Sequence, residues 1–193
     1  YNRRNNRIKM DKLYDLFLQK ALSLVSKRMY TVLKLKKKIQ EFVSKEKKKI
    51  IEGKSRLEDS DADILSSASD QEIEDSIKKV LGRLKELRYL DDTQFSLDFI
   101  ENRTAFRPRG RFLLKRELER KGVHPELAER ILEEKDIDEE SLAEEALKKK
   151  LKTIQKYPPQ KQKEKAMRFL SSRGFKIDAI YKVIDRWYNH HAI

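Results

Sequence analysis

Residues 118–132 and 170–184 share one pattern of apolar positions around a glycine, and this pair of segments decides the fold. The first reads LERKGVHPELAERIL and the second reads LSSRGFKIDAIYKVI. With Leu118 aligned on Leu170, a basic residue precedes each glycine, an apolar residue follows it, and the later apolar positions coincide. Gly ends helices because it adopts the left-handed conformation without a Cβ clash. Two amphipathic helices can share a stripe by chance, but the shared basic–Gly–apolar junction indicates an internal repeat.

Working outward from these segments, each repeat is predicted to contain a long first helix, a basic second helix ending at Gly, and a short third helix. The chain is scarce in turn residues, with five Gly and four Pro, which also favours helices over a many-stranded sheet. Small three-helix units bury little surface alone, so neighbours must share apolar faces. We therefore predict an all-α fold of about three tandem three-helix repeats, modular and elongated. The predicted segments are an N-terminal tail over 1–10, a first repeat over 11–90, a second over 91–135 and a third over 136–193.

A charged insertion is expected near 53–69 in the first repeat. Residues 34–54 contain nine Lys and three Glu, whereas residues 55–75 contain eight acidic residues and one Arg. The stretches Glu-Asp-Ser-Asp-Ala-Asp and Ser-Ser-Ala-Ser favour a mobile connection over an extension of the preceding helix. Ser69 followed by Glu72 is a capping-box pattern, which predicts that a helix starts there.

The overall charge is strongly basic. The formal net charge is +13 and the pI is about 9.7, which predicts attraction to a polyanion such as nucleic acid. The chain has no Cys and no apolar run long enough to span a bilayer, so we expect a protein of a reducing compartment, the cytoplasm, with no membrane partner. Because the sequence does not begin with Met, an upstream segment is expected to be missing.

Several motifs resemble those of the RecX family over roughly residues 21–184. The most specific are Leu84-Lys85-Glu86-Leu87-Arg88-Tyr89-Leu90-Asp91-Asp92, Glu117-Leu118-Glu119-Arg120-Lys121-Gly122-Val123 and Ser172-Arg173-Gly174-Phe175. The charged insertion and the segment before Asp11 depart from that pattern. The resemblance implies tandem three-helix repeats and a regulator that binds the RecA recombinase filament on single- or double-stranded DNA. It also implies restraint of filament growth, ATP hydrolysis and strand exchange in recombination and DNA repair.

Basic residues supply the candidate binding site. The guanidinium group of Arg and the free N–H groups at a helix terminus can bind phosphate or carboxylate. For any single basic residue, however, a solvated position on the surface is the more ordinary interpretation. The predicted filament- or nucleic-acid-binding residues are Arg103, Arg107, Arg109, Arg111, Lys115, Arg116, Lys148, Lys149 and Lys152. Tyr89 and Phe106, beside arginines, could stack on unpaired bases, but core packing at a helix end is favoured. Trp187 and Tyr188 are expected to cover the third repeat.

No catalytic, metal or cofactor site is predicted. Asp91 and Asp92 are explained by helix capping, and His190-His191 lacks a spaced third ligand. The chain also lacks a phosphate-binding Gly-rich loop, so we expect a monomeric, non-enzymatic protein. The main alternative is a general, sequence-independent nucleic-acid-binding helical repeat. A helix-turn-helix transcription regulator is a further class, but it would require base-specific contacts and commonly a dimer.

Overall fold

The computed structural model describes the backbone of residues 2–191 and the side chains of residues 6–189, and every regular element in that range is an α-helix. The helices are α1 (Asn2–Val25), α2 (Val32–Ile51), α3 (Asp59–Ser67), α4 (Asp70–Glu86), α5 (Asp92–Phe106), α6 (Arg111–Lys121), α7 (Pro125–Glu134), α8 (Glu139–Ile154), α9 (Pro159–Ser172) and α10 (Ile177–His191). None of the helices in this described range is long and apolar enough to cross a membrane. The chain divides into unit 1, Tyr1–Asp92, and unit 2, Thr93–Ile193.

In unit 1, helices α1, α2 and α4 enclose an apolar core that includes the fully buried Phe17, Leu35 and Ile77. Local signals set where two of these helices begin. The Thr31 hydroxyl accepts the Lys34 N–H at the start of α2. At the start of α4 the predicted capping box is present in full, because Ser69 and Glu72 satisfy each other's backbone N–H groups.

The expectation of a mobile connection over 53–69 is wrong. Residues 59–67 form helix α3, which packs against α1 and α2, and Leu65 is fully buried in the core of unit 1. The Lys47 ammonium donates to the carbonyl oxygen of Ala68 at 3.0 Å and thereby ties the end of this segment to α2. The acidic composition suggested a solvated loop, but Leu65, together with Ile64 and Ala68, gives the short helix an apolar face that packs on the core.

The expected tail over residues 1–10 is also wrong, because α1 begins at Asn2. Met10 packs against the unit 1 core. The Lys9 ammonium lies 2.8 Å from a carboxylate oxygen of Glu72 and 3.0 Å from the Ser67 carbonyl oxygen. This pairing with α4 and the end of α3 explains why the basic N-terminal segment continues the helix instead of leaving it.

In unit 2, α5–α7 and α8–α10 each enclose their own apolar core, so the predicted fold of tandem three-helix repeats is confirmed. Gly122 and Gly174 have φ of +93° and +77°, the left-handed conformation predicted for both helix ends. Leu118 and Leu170, aligned in the sequence, are both fully buried. In unit 1, Gly53 also has a left-handed φ, +66°, shortly after the end of α2 at Ile51, although its neighbours are Glu52 and Lys54.

A carboxylate and a pair of glycines join the two repeats of unit 2. Buried Glu139, the first residue of α8, accepts the backbone N–H of Arg111 at 2.6 Å and that of Lys176 at 3.0 Å. The Gly110 N–H donates to the Arg173 carbonyl oxygen at 2.9 Å. A methyl group on Gly110 would lie only 2.1 Å from the Gly174 carbonyl oxygen, so the two backbones touch where a side chain has no room.

Candidate basic binding surface

An arginine cluster surrounds the buried carboxylate of Glu117 on α6. Arg103 Nε lies 2.9 Å from Glu117 Oε2, and an Arg109 terminal nitrogen lies 2.7 Å from Glu117 Oε1. Burial, opposed by the charge of Glu117, lowers the pKa of Arg109, and repulsion from Arg103, Arg173 and Arg107 lowers it further. We call Arg103, Arg107, Arg109 and Arg173 the arginine cluster. Arg103 and Arg109 contact Glu117, whereas Arg107 and Arg173 belong to the cluster through their charge repulsion on Arg109. A terminal nitrogen of Arg120 also lies 3.9 Å from Glu117 Oε1.

The predicted site residues within the arginine cluster have different roles. Arg103 and Arg109 are mostly buried and hold Glu117, so they stabilise the packing of α5 and its following loop on α6. Arg107 is exposed and has no acidic partner among the residues with described side chains. Arg173 was missed from the sequence because it lies in the next repeat, although its alignment with Lys121 beside a helix-ending Gly was a usable signal. Its guanidinium stacks on Phe169 at 5.0 Å.

The next three predicted residues, Arg111, Lys115 and Arg116, line a separate open groove of about 720 Å³ in unit 2. Lys176 adds to its basic lining, Phe112 and Leu132 form its apolar lining, and none of these three was predicted as a site residue. Lys115 forms an ion pair with Glu129, which raises the pKa of Lys115 and lowers that of Glu129 through their hydrogen bond. The groove also contains Glu119 and Glu133, so its charge is mixed. It fits a protein surface better than a bare phosphate chain.

The predicted lysines on α8 form a third, more ordinary set. Lys148 and Lys149 pair with Glu144 and Glu145 one helical turn earlier, at 2.8 Å and 2.7 Å. Lys152 is exposed. Such exposed pairs contribute little binding energy or stability, because water and salt screen them. The α8 lysines therefore add positive charge without forming a defined site.

Two aromatic predictions are corrected. Phe106 is 73% exposed at the end of α5 and Tyr89 is 55% exposed, so neither is packed in a core as expected. Phe106 is the last residue of α5, and the loop that follows contains Pro108. Trp187 and Tyr188 pack against the core of the third repeat, as expected.

Asp92, the first residue of α5, has a structural contact with α2. Asp92 Oδ1 accepts the Val32 N–H at the start of α2, at 2.9 Å, and burial raises the pKa of Asp92. Among the described residues, no group of three or more His, Cys or acidic side chains is placed to hold a metal ion. The side chains of His190 and His191 lie outside the described part.

Comparison with known proteins agrees with this architecture. Two family models match, the second three-helix domain of RecX over residues 91–132 and the third over residues 138–184. The regulatory protein RecX of Prosthecochloris aestuarii is 38% identical over 114 residues, covering 58% of this chain and 72% of the relative. The corresponding protein of Pelodictyon phaeoclathratiforme is 33% identical over 110 residues, covering 57% of this chain and 68% of the relative.

Solved structures show the same fold at low sequence identity. The crystal structure of RecX from Lactobacillus salivarius aligns with a TM-score of 0.65 at 16% identity, over 93% of this chain and 97% of that one. A second RecX crystal structure aligns with a TM-score of 0.67 at 15% identity, over 90% and 73%. The repeat junctions, the helical fold and these similarities together establish that the chain belongs to the RecX family of regulatory proteins, which are not enzymes.

Proposed function

We propose that this chain binds the filament of a RecA-type recombinase on DNA and inhibits filament assembly, ATP hydrolysis and strand exchange. Its membership of a family of regulatory proteins supports the regulatory role. The observation that carries the proposed mode of binding is a set of accessible arginines in unit 2, namely the exposed Arg107 of the arginine cluster and, in the groove, the half-buried Arg111 and the exposed Arg116. Arg107, Arg111 and Arg116 have no acidic partner within ion-pair distance in the described part of the chain.

A recombinase filament presents two kinds of negative group, the phosphates of the bound DNA and the carboxylates of the protein coat. The arginine cluster suits phosphate, because guanidinium forks match its oxygens and form charge-assisted hydrogen bonds. The neighbouring groove, with its exposed Phe112 and mixed charge, suits a protein segment. A surface with both properties in one unit fits a protein–DNA filament better than either component alone.

The experiment is to reverse Arg107, Arg111 and Arg116 to Glu and measure recombinase ATP hydrolysis on single-stranded DNA as this protein is added. Inhibition should be largely lost and the remaining inhibition should weaken as salt rises, because repulsion replaces attraction at the filament. Arg103 stays unchanged, since its loss would leave buried Glu117 short of a partner and confuse folding with binding.

Reversal of Lys34, Lys37 and Lys45 to Glu provides a charge-matched control. These exposed lysines of α2 have no acidic partner at ion-pair distance in the described range, so their reversal changes net charge equally and should leave unit 1 folded. Circular dichroism checks both variants. Equal inhibition by the folded arginine variant and the parent would refute the proposed surface. Equal loss of inhibition in the arginine and lysine variants would mean that only the net positive charge of the protein matters.

The alternative is a sequence-independent nucleic-acid-binding protein that needs no recombinase. The formal net charge of +13 favours it. Binding to bare and to recombinase-coated single strands at matched salt separates the two functions. A filament-specific regulator prefers the coated strand, whereas a general binder prefers the bare strand.

A further inference from the structure

We infer that Phe106, Arg107 and Arg173 form a contact site for an unpaired DNA strand, with a base stacked on the Phe106 ring and the adjoining phosphates held by the two arginines. This inference rests on the proposed function, because it specifies which part of a DNA filament the arginine cluster meets. It concerns residues from two repeats of unit 2 that the sequence places far apart.

The backbone contact between the repeats builds the site. The Gly110 N–H donates to the carbonyl oxygen of Arg173, so the loop that follows α5 and the end of α9 lie against each other. Pro108 and Gly110 are buried on either side of Arg109, which fixes the path of that loop. Arg107 and Arg173 therefore extend from two neighbouring, well-packed backbones and need little ordering when they bind an anion.

Glu117 leaves two members of the arginine cluster, Arg107 and Arg173, free to bind a ligand. It is paired with Arg103 and Arg109 and lies 3.9 Å from a terminal nitrogen of Arg120, and no other acid lies within ion-pair distance of the cluster among the described side chains. Arg107 and Arg173 are thus the two members without a carboxylate partner. Two guanidinium groups beside a cationic pair form a local excess of positive charge that favours a ligand with several negative groups.

The exposed ring selects the kind of ligand. Phe106 lies three residues after Arg103 on α5, so the two side chains share one helix face. Arg103 already stacks on Phe99 at 4.8 Å, which leaves the largely exposed ring of Phe106 as the next aromatic surface along that face. A planar apolar ring beside phosphate-binding arginines is the arrangement that binds single strands, because every base has a face that can stack. A duplex keeps its bases stacked on one another and offers only its phosphates.

The test compares two fluorescein-labelled strands by anisotropy: oligothymidylate of about 12 nucleotides, within the usual range of single-strand sites, and an abasic strand with the same number of phosphates. The full chain should bind the base-containing strand at least about fivefold more tightly, since stacking on one aromatic residue has an effect of this order. Phe106→Ala should remove that preference and leave affinity for the abasic strand unchanged.

Phe112→Ala is the matched aromatic control, because Phe112 is 64% exposed in the same unit and also lies beside an arginine. It should keep the preference. Arg107→Gln and Arg173→Gln should each weaken binding to both strands and reduce the slope of log affinity against log salt by about 0.7, the contribution of one single-strand phosphate contact. Arg130→Gln, at an exposed position on α7, controls for charge and should change the slope less.

Equal affinity of the parent for the two strands, or retention of the preference in Phe106→Ala, would overturn the stacking site. Equal slopes for Arg173→Gln and Arg130→Gln would overturn the role of Arg173. Circular dichroism confirms that each variant is folded. The proposed function is tested separately. If the chain inhibits the recombinase but binds the two strands equally, the proposed function stands and the stacking site is refuted.

Discussion

At the residue scale, the informative charges are a few buried or half-buried acids rather than the many exposed bases. Glu117 pairs closely with the guanidinium groups of Arg103 and Arg109, Glu139 accepts the backbone N–H groups of Arg111 and Lys176, and Asp92 accepts that of Val32. A buried carboxylate is costly unless its oxygens are paired, so each of these acids fixes a particular arrangement of helices. The sequence shows them only as three acidic residues among 33.

The two aligned leucines, Leu118 and Leu170, should both be important for stability. Leu118→Ala and Leu170→Ala should each lower the free energy of unfolding by about 2–5 kcal/mol, because each leaves a cavity in the core of its repeat. Chemical denaturation measures the loss, with the exposed Ile177→Ala as control at under about 0.5 kcal/mol. A negligible effect at both leucines would contradict the repeat alignment.

The Lys9–Glu72 pair predicts a pH dependence. A hydrogen bond from Lys9, followed by that from the Ser69 backbone, lowers the pKa of Glu72 from 4.5 to about 2. Because the folded pKa lies below the ordinary value, the ionised carboxylate stabilises the fold above pH 4.5, and this contribution is lost as pH falls toward 2.

Carboxyl NMR titration should locate the low midpoint of Glu72, and Lys9→Met should raise it. The stability difference between the parent and Glu72→Gln should shrink steadily below pH 4.5. Lys12→Met, an exposed lysine of the same helix, serves as the comparison. An unchanged midpoint in Lys9→Met would show that the ion pair does not hold the N-terminal turns of α1.

At the element scale, α3 shows that an acidic insertion can be structural. Leu65→Ala should lower the free energy of unfolding of unit 1 by about 2–5 kcal/mol, because Leu65 is fully buried between α1 and α2. Ser66→Ala, at the adjacent exposed position, should cost less than about 0.5 kcal/mol. Denaturant unfolding measures the stability of both variants. Equal stability of Leu65→Ala and Ser66→Ala would show that α3 does not contribute to the core of unit 1.

The glycine contact between the repeats gives a second prediction on elements. Gly110→Ala should destabilise unit 2 although its φ of −73° is ordinary, because the new methyl group collides with the backbone of Gly174. Gly53→Ala meets no atom within 4 Å and should cost only the strain of a left-handed residue, about 1 kcal/mol. Thermal unfolding should rank Gly110→Ala as the more damaging. The reverse order would mean that the two loops are not tightly packed.

At the scale of the whole molecule, the proposed function predicts an effect on the recombinase through binding rather than through catalysis by this chain. The purified chain should hydrolyse no ATP, with or without DNA, and its inhibition of a recombinase should titrate with the amount bound. Phosphate release measured through successive purification steps provides the check. Hydrolysis that copurifies with the chain and persists at constant specific activity would contradict the assignment to regulation without catalysis.

The sequence by itself determined the helical class, the repeat in unit 2 and the overall basic charge, because apolar spacing and helix-ending glycines are local features that survive in any packing. It misjudged residues 1–10, which were expected to form a tail, and residues 53–69, where composition suggested solvation. Only the tertiary structure decided that Leu65 docks α3, that Glu117 occupies Arg103 and Arg109, and that Arg173 joins Arg107. These outcomes depend on which distant side chains meet, and no local pattern encodes the partner of a buried charge or the exposure of a ring such as that of Phe106.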